Sequence, residues 1–252
     1  MDEDSMKIGI CSDIHSHRPD QKEEIAEVLE RINASGPFDL FVCAGDISHR
    51  TEEIFEFLRS IHLPCPKCWT PGNHDIWVID PESESDTAEC RYRTRFPRIS
   101  EESGWHYLPT SPLSLESHQV DIIGTIGWFT GEGYSEWFDA DATEKDEALA
   151  RVFSNELDAA FRNTRFEKVI VVTHHVPNHQ LLDRAKDNRA EVNEHIQKLL
   201  PKYRDRIKLV IHGHRHKRYS LKTIECIDYV AHPFGYPHQH ATAEDGFRII
   251  EI

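Results

Sequence analysis

The residues of this sequence best suited to hold a cation stand directly behind short apolar runs. KIGIC is followed by Ser12-Asp13-Ile14-His15, LFVCA by Gly45-Asp46, and CWTP by Gly72-Asn73-His74-Asp75. VIVVT leads into His174-His175, and KLVI into His212-Gly213-His214-Arg215-His216. Imidazole, carboxylate and amide oxygen together suit first-row divalent ions such as Mn²⁺, Fe²⁺ or Zn²⁺. The lack of cysteine at these positions argues against a structural thiolate zinc site. A carboxylate such as Asp46 can bridge two ions about 3.5–4 Å apart. Two dications less two aspartates and one hydroxide leave a charge of about +1, which attracts a phosphate dianion. Without cations, carboxylates and imidazoles gathered this closely would repel or stay protonated. The chain has 17 histidines, and their placement matters more than their number.

Such a cluster needs elements that bring distant segments to one place. Short β-rich apolar runs alternate with helical patterns, as in an α/β or layered α+β domain. The spacing predicts strands over Lys7–Cys11, Leu40–Ala44, Cys68–Thr70, Val120–Thr125, Val169–Thr173, Lys208–Ile211, Ile224–Ala231 and Phe247–Ile252. Ile25, Val28, Leu29 and Ile32 recur at helical spacing and end near Gly36-Pro37; Ile54, Phe55, Leu58 and Ile61 repeat the pattern. A third helix is predicted from about Thr143 to Arg162, and a fourth from about Ala190 to Leu200, stopped by Pro201. In layered α/β folds ligands sit beyond the carboxyl ends of the strands. Asp13, His15, Asp46, Asn73, a histidine of the 174/175 pair, His214 and His216 therefore converge. No linker divides the chain, so residues 1–252 read as one domain. The long segment 76–104, acidic at Asp80, Glu82, Glu84 and Asp86 and basic at Arg91, Arg93, Arg95 and Arg98, reads as a substrate-covering insertion.

The 38% hydrophobic share of 252 residues fills one core. Charge is 29 − 44 = −15, which disfavours long nucleic acid and anionic membrane as partners. No apolar run approaches the roughly 20 residues of a membrane-spanning helix. The acidic start, MDEDSMKIGI, has no secretory character. Six dispersed cysteines do not form a disulfide framework. The expectation is a cytoplasmic protein.

The five stretches together resemble the motifs of the calcineurin-like metallophosphoesterases. Asp13-x-His15, Gly45-Asp46 through Arg50, Gly72-Asn73-His74-Asp75, His174-His175 and Gly213-His214-Arg215-His216 occur in family order over residues 13 to 216. The resemblance specifies a four-layer α/β/β/α sandwich of two mixed β-sheets flanked by helices. It implies two divalent ions, manganese foremost, with iron or zinc as alternatives. Asp13, His15, Asp46 and His216 would hold one; Asp46, Asn73, His214 and the fourth-motif histidine would hold the other. His174 is favoured for that place because it directly follows the apolar run, with His175 as the alternative. The implied reaction is hydrolysis of a phosphomonoester or phosphodiester by a metal-activated hydroxide, on a small or locally exposed substrate. His74 would serve the leaving group, Asp75 would orient its ring, and Arg50 would contact phosphate. His49 and Thr51 depart from the protein-phosphatase pattern GDxVDRG, which weakens a phosphoprotein assignment.

Other residues have plainer readings. His17 and His49 are read first as ordinary loop histidines, His212 as packed against the ligands, and Cys11 and Cys43 as core. Cys65-x-x-Cys68 has no second CxxC and is not assigned a metal. Trp128-Phe129 and Tyr134, Trp137 and Phe138 are read as loop packing before base stacking. The loop His232–His238 borders the pocket without supplying ligands. The rival functions are a catalytically inactive protein-interaction scaffold on the same fold, which the full ligand set disfavours, and a nuclease, which the negative charge disfavours.

Overall fold

The computed structural model describes residues 5–79, 81, 86–129, 142–182, 191–239 and 243–252. The strands are β1 (Lys7–Cys11), β2 (Leu40–Cys43), β3 (Lys67–Trp69), β4 (His106–Tyr107), β5 (Leu113–Leu115), β6 (Val120–Thr125), β7 (Lys168–Thr173), β8 (Ile207–His212), β9 (Tyr219–Ile224), β10 (Ile227–Ala231) and β11 (Arg248–Glu251). The helices are α1 (Lys22–Ala34), α2 (Thr51–Ser60), α3 (Asn73–Ile76), α4 (Ala88–Cys90), α5 (Phe96–Ser103), α6 (Ala142–Arg162) and α7 (Glu194–Leu199).

Two mixed sheets result, in the orders β11-β1-β2-β3-β4 and β5-β6-β7-β8-β10-β9. Their central strands run parallel, with Ile8 opposite Leu40 and Val171 opposite Val210. Each central strand is apolar on both faces because each face meets a different core. Ile8, Ile10, Leu40 and Val42 point toward the second sheet, where Ile122, Ile170, Val172, Leu209 and Ile211 meet them. Cys11, Phe41 and Cys43 point the other way, against Val28, Ile32, Ile54 and Leu58 of α1 and α2. Ile123, Val169, Val171 and Val210 face Leu157 and Phe161 of α6 and Ile196 of α7. Helix, sheet, sheet and helix thus form the expected four layers, and their shared strand direction delivers the loops after β1, β2, β3, β7 and β8 to one end.

Several local expectations change. On α2 it is Phe57, not Phe55, that joins the core. The predicted strand Ile224–Ala231 is only the second half of a hairpin, with β9 before it and Glu225-Cys226 at the turn. The predicted helix Ala190–Leu200 is shorter, because Asn193 caps α7 through hydrogen bonds from the His195 and Ile196 amides. The segment 76–104, read from sequence as a long substrate-covering insertion, is helical over residues 88–103, a continuous run of α4, a π-turn and α5. Tyr92 and Phe96 are buried in the helix-side core. Tyr92 and Phe96 stand four apart, a helical spacing, but the arginines around them and Pro97 at the start of α5 broke up the apolar pattern. Asp80, Glu82, Glu84, Tyr134, Trp137 and Phe138 lie outside the described residues. Trp128 and Phe129 are buried and stacked 5.0 Å apart, so they pack within the fold.

Candidate metal centre

Five of the residues singled out from sequence occupy left-handed backbone: Asp13 (φ 55°), His15 (50°), Asp46 (57°), His214 (75°) and His216 (49°). None is a glycine, and each such position costs on the order of 1 kcal/mol. The surroundings hold them there. The Asp13 amide donates to the Gly45 carbonyl at 2.8 Å and the His15 amide to the Asp46 carbonyl at 3.0 Å, so the loops after β1 and β2 lock together. Two glycines permit the approach of the carboxylates. A Cβ on Gly72 would lie 2.1 Å from Asp46 Oδ1, and one on Gly213 would lie 2.6 Å from Asp13 Oδ2.

The side chains converge in two groups. Asp13, His15 and His216 each place a ligand atom within 4.8 Å of the others, and so do Asp46, His174 and His214. Asn73 joins the second group, its Oδ1 lying 3.1 Å from both His174 Nε2 and His214 Nδ1. Asp46 Oδ2 is 3.3 Å from His174 Nε2 and 4.0 Å from His74 Nε2. The structure brings His174 into the cluster. His175 stands behind it, with Nδ1 donating to the Ile126 carbonyl at 3.1 Å and its ring 4.3 Å from that of His214.

The hydrogen bonds decide which atoms face inward. His174 Nδ1 donates to the Ala44 carbonyl at 2.8 Å, so its bare Nε2 is aimed at the oxygens of Asn73 and Asp46. His216 Nδ1 donates to Gln239 Oε1 at 2.6 Å; its Nε2 then faces His15 Nε2 at 3.0 Å and Asp13 Oδ1 at 3.4 Å. Lone pairs directed at lone pairs repel unless a proton or a cation lies between them. This donor arrangement fits divalent ions, with the outer nitrogens held by acceptors as metal-ligating histidines require.

The proton affinities follow from the same crowding. Burial works against charge on His174, but the Asp46 and Asp13 carboxylates outweigh it and raise the group to about 9. Burial likewise works to raise Asp46, yet His174 and His74 hold it well below the carboxylate range. Burial, with the neighbouring histidines adding to it, pushes His15 down to about 3 and His214 far below its usual value. His74 is lowered mainly by burial. In effect a proton on His174 stands where positive charge is wanted.

The contacts of Asp75 differ from the role expected of it. Asp75 does not orient the His74 ring. Its two carboxylate oxygens accept from the amides of Gly72 (2.7 Å), Asp46 (2.8 Å), Ile47 (2.8 Å) and Ser48 (2.9 Å), so it clamps the second and third motif loops. Burial and the adjacent Asp46 push it up to about 7. Arg50 is turned to the surface, with its side chain 59% exposed and 4.0 Å from Glu53. His74 sits against Trp77 with ring centroids 4.0 Å apart, and 4.6 Å from the His15 ring.

Sequence reasoning missed two supports. Arg91 is fully buried and bidentate with Asp86 at 2.9 and 2.8 Å, and it donates to the carbonyls of His49 (2.6 Å), Trp77 (2.8 Å) and Asp75 (3.3 Å). The loop after β10 pairs with the loop after β1 through Phe234 and Gly235 amides to Ser12 and Asp13 carbonyls. It brings Gln239 to His216 and stacks Tyr236 on His15 at 4.8 Å. Arg91 shared its arginine-rich pattern with exposed neighbours, and no spacing signal pointed to Gln239.

A family model described as calcineurin-like phosphoesterase matches residues 6–218. The chain belongs to the calcineurin-like phosphoesterase family. Within this family it is similar to the acyl-carrier-protein phosphodiesterase PptH of Mycobacterium tuberculosis, 32% identical over 82 residues. That match spans 32% of this chain and only 24% of the relative. The crystal structure of phosphopantetheinyl hydrolase PptH from the same organism superposes with a TM-score of 0.77 at 16% identity, covering 98% of this chain and 96% of that one. A Staphylococcus aureus structure described as a candidate 5′-nucleotidase gives a TM-score of 0.54 at 12% identity, over 98% of this chain and 50% of that one. These likenesses show a shared phosphoesterase fold. Among the described residues, no helix is long and apolar enough to cross a membrane.

Proposed function

We propose that this phosphoesterase hydrolyses a phosphomonoester or phosphodiester of a small or locally exposed substrate at a centre of two divalent ions. Asp13, His15, Asp46 and His216 would hold one ion; Asp46, Asn73, His174 and His214 would hold the other. The observation that carries this reading is the aim of His174 Nε2 and His216 Nε2 at neighbouring acceptors while their Nδ1 atoms are tied to carbonyl oxygens. When bound, the ions would supply Lewis acidity, polarising the phosphoryl oxygens and lowering the pKa of an attacking water. The Asp46 amide donates to Asp75, and the His74 amide donates to Asp46 Oδ1, so this carboxylate is fixed in place to serve both ions. His74, kept neutral by burial, still carries one ring N–H for the leaving oxygen, and Trp77 fixes its plane. A diester substrate is favoured by the similarity to a protein named as a phosphodiesterase.

The test is turnover of an aryl phosphate and its aryl diester with Mn²⁺, before and after chelation. Asn73→Ala and His214→Ala should remove turnover while the circular dichroism stays native. Full activity after exhaustive chelation, or unchanged turnover in both variants, would overturn the assignment.

A further inference from the structure

Beside the two groups already assigned lies a third. One ring nitrogen each of His15, His17 and His74 falls within 4.8 Å of the others. The His17 ring stacks over His74 at 6.0 Å and meets His15 edge-on at 5.7 Å. His15 Nδ1 and His17 Nδ1 are both buried without a hydrogen-bond partner. Such atoms cost stability unless something occupies them.

We propose that His15, His17 and His74 form an inhibitory third cation position, selective for a nitrogen-preferring ion such as Zn²⁺. The proposal rests on the two-ion reading of the neighbouring centre. Its donor set separates it from that centre. Each of the other groups contains a carboxylate, which suits Mn²⁺ as well as softer ions. Three imidazoles without a carboxylate favour Zn²⁺, Ni²⁺ or Cu²⁺ over Mn²⁺. Nitrogens about 2.0–2.1 Å from a tetrahedral zinc stand roughly 3.4 Å apart, inside the 4.8 Å limit that these three nitrogens respect. His74 belongs to this group, and an ion held by its ring fixes that ring beside His15 and His17 and keeps it from turning to the leaving oxygen. His15 is common to this group and the first ion site, so the two compete for it. No proton or electron need be exchanged with another reagent; a lone pair is donated to the incoming cation, and the ring is thereby withheld.

The test uses the full chain loaded with Mn²⁺, titrated with Zn²⁺, following aryl diester turnover and bound metal together. In the unaltered protein, turnover should fall as zinc rises while the Mn²⁺ among Asp46, Asn73, His174 and His214 is retained, and zinc anomalous scattering should show a peak among these three rings. His17→Ala should keep the basal rate and both Mn²⁺, lose that peak, and need about 10- to 100-fold more zinc for the same inhibition. Inhibition of His17→Ala at unchanged zinc, or zinc found only in place of manganese, would overturn the proposal. That failure differs from failure of the two-ion reading, in which the unaltered protein would bind no Mn²⁺ pair at all.

Discussion

Replacing Arg91 by methionine removes a charge whose loss the fold cannot hide. Arg91 is 0% and Asp86 is 5% exposed, and their bidentate pair is accompanied by three carbonyls that accept from the same guanidinium. Breaking one side of a buried pair leaves an uncompensated charge and costs about 3–5 kcal/mol. Each carbonyl left without its donor adds a penalty, of order 1 kcal/mol or more. Arg95, 3.4 Å from Asp86, remains to offset part of that sum, which keeps the total near the quoted range. For a chain this size that lowers Tm by roughly 6–20 °C. Urea unfolding followed by tryptophan fluorescence measures it. The double variant Asp86→Asn with Arg91→Met removes both charges and should cost less than Arg91→Met alone. A single-variant cost under about 1 kcal/mol, or a double variant no better than the single, would refute the view of Arg91 as the staple of the site loops.

His74→Ala should slow hydrolysis of an alkyl ester by roughly 10²- to 10⁴-fold, and slow a nitrophenyl ester much less, because a good leaving group needs no proton; equal losses on both substrates would remove His74 from the leaving-group side. Gln239→Ala frees His216 Nδ1 and should weaken binding of one Mn²⁺ by about 10- to 100-fold, measured by calorimetric titration. Glu225 and Cys226 turn the β9–β10 hairpin at φ 51° and 64°, so Glu225→Asn with Cys226→Gly should stabilise the fold by about 1–2 kcal/mol; a lower urea midpoint would show that the turn is not strained.

Much of this architecture is legible before any coordinates. Runs such as KVIVVT are apolar on both faces because parallel strands between two cores have no wet side, and the ligand residues follow them because a strand's end is where a buried chain first reaches a crevice. The hairpin partner β9 was not legible. Its residues are mostly exposed, and its turn lacks the Asn-Gly signal that positive φ normally brings. Nor could Asp75 be told from a catalytic carboxylate: its position beside His74 suggests one role, while four backbone amides, which carry no sequence code, assign the other. Arg91 and Gln239 were hidden for the same reason, since their partners are carbonyls and a histidine far along the chain.

The central claim is that five strand ends grip two cations. Anomalous scattering from crystals grown with Mn²⁺ tests it most directly. Two peaks are expected, one among Asp13, His15, Asp46 and His216 and the other among Asp46, Asn73, His174 and His214. Crystals with no manganese at these residues, or with manganese bound elsewhere on the surface, would contradict it.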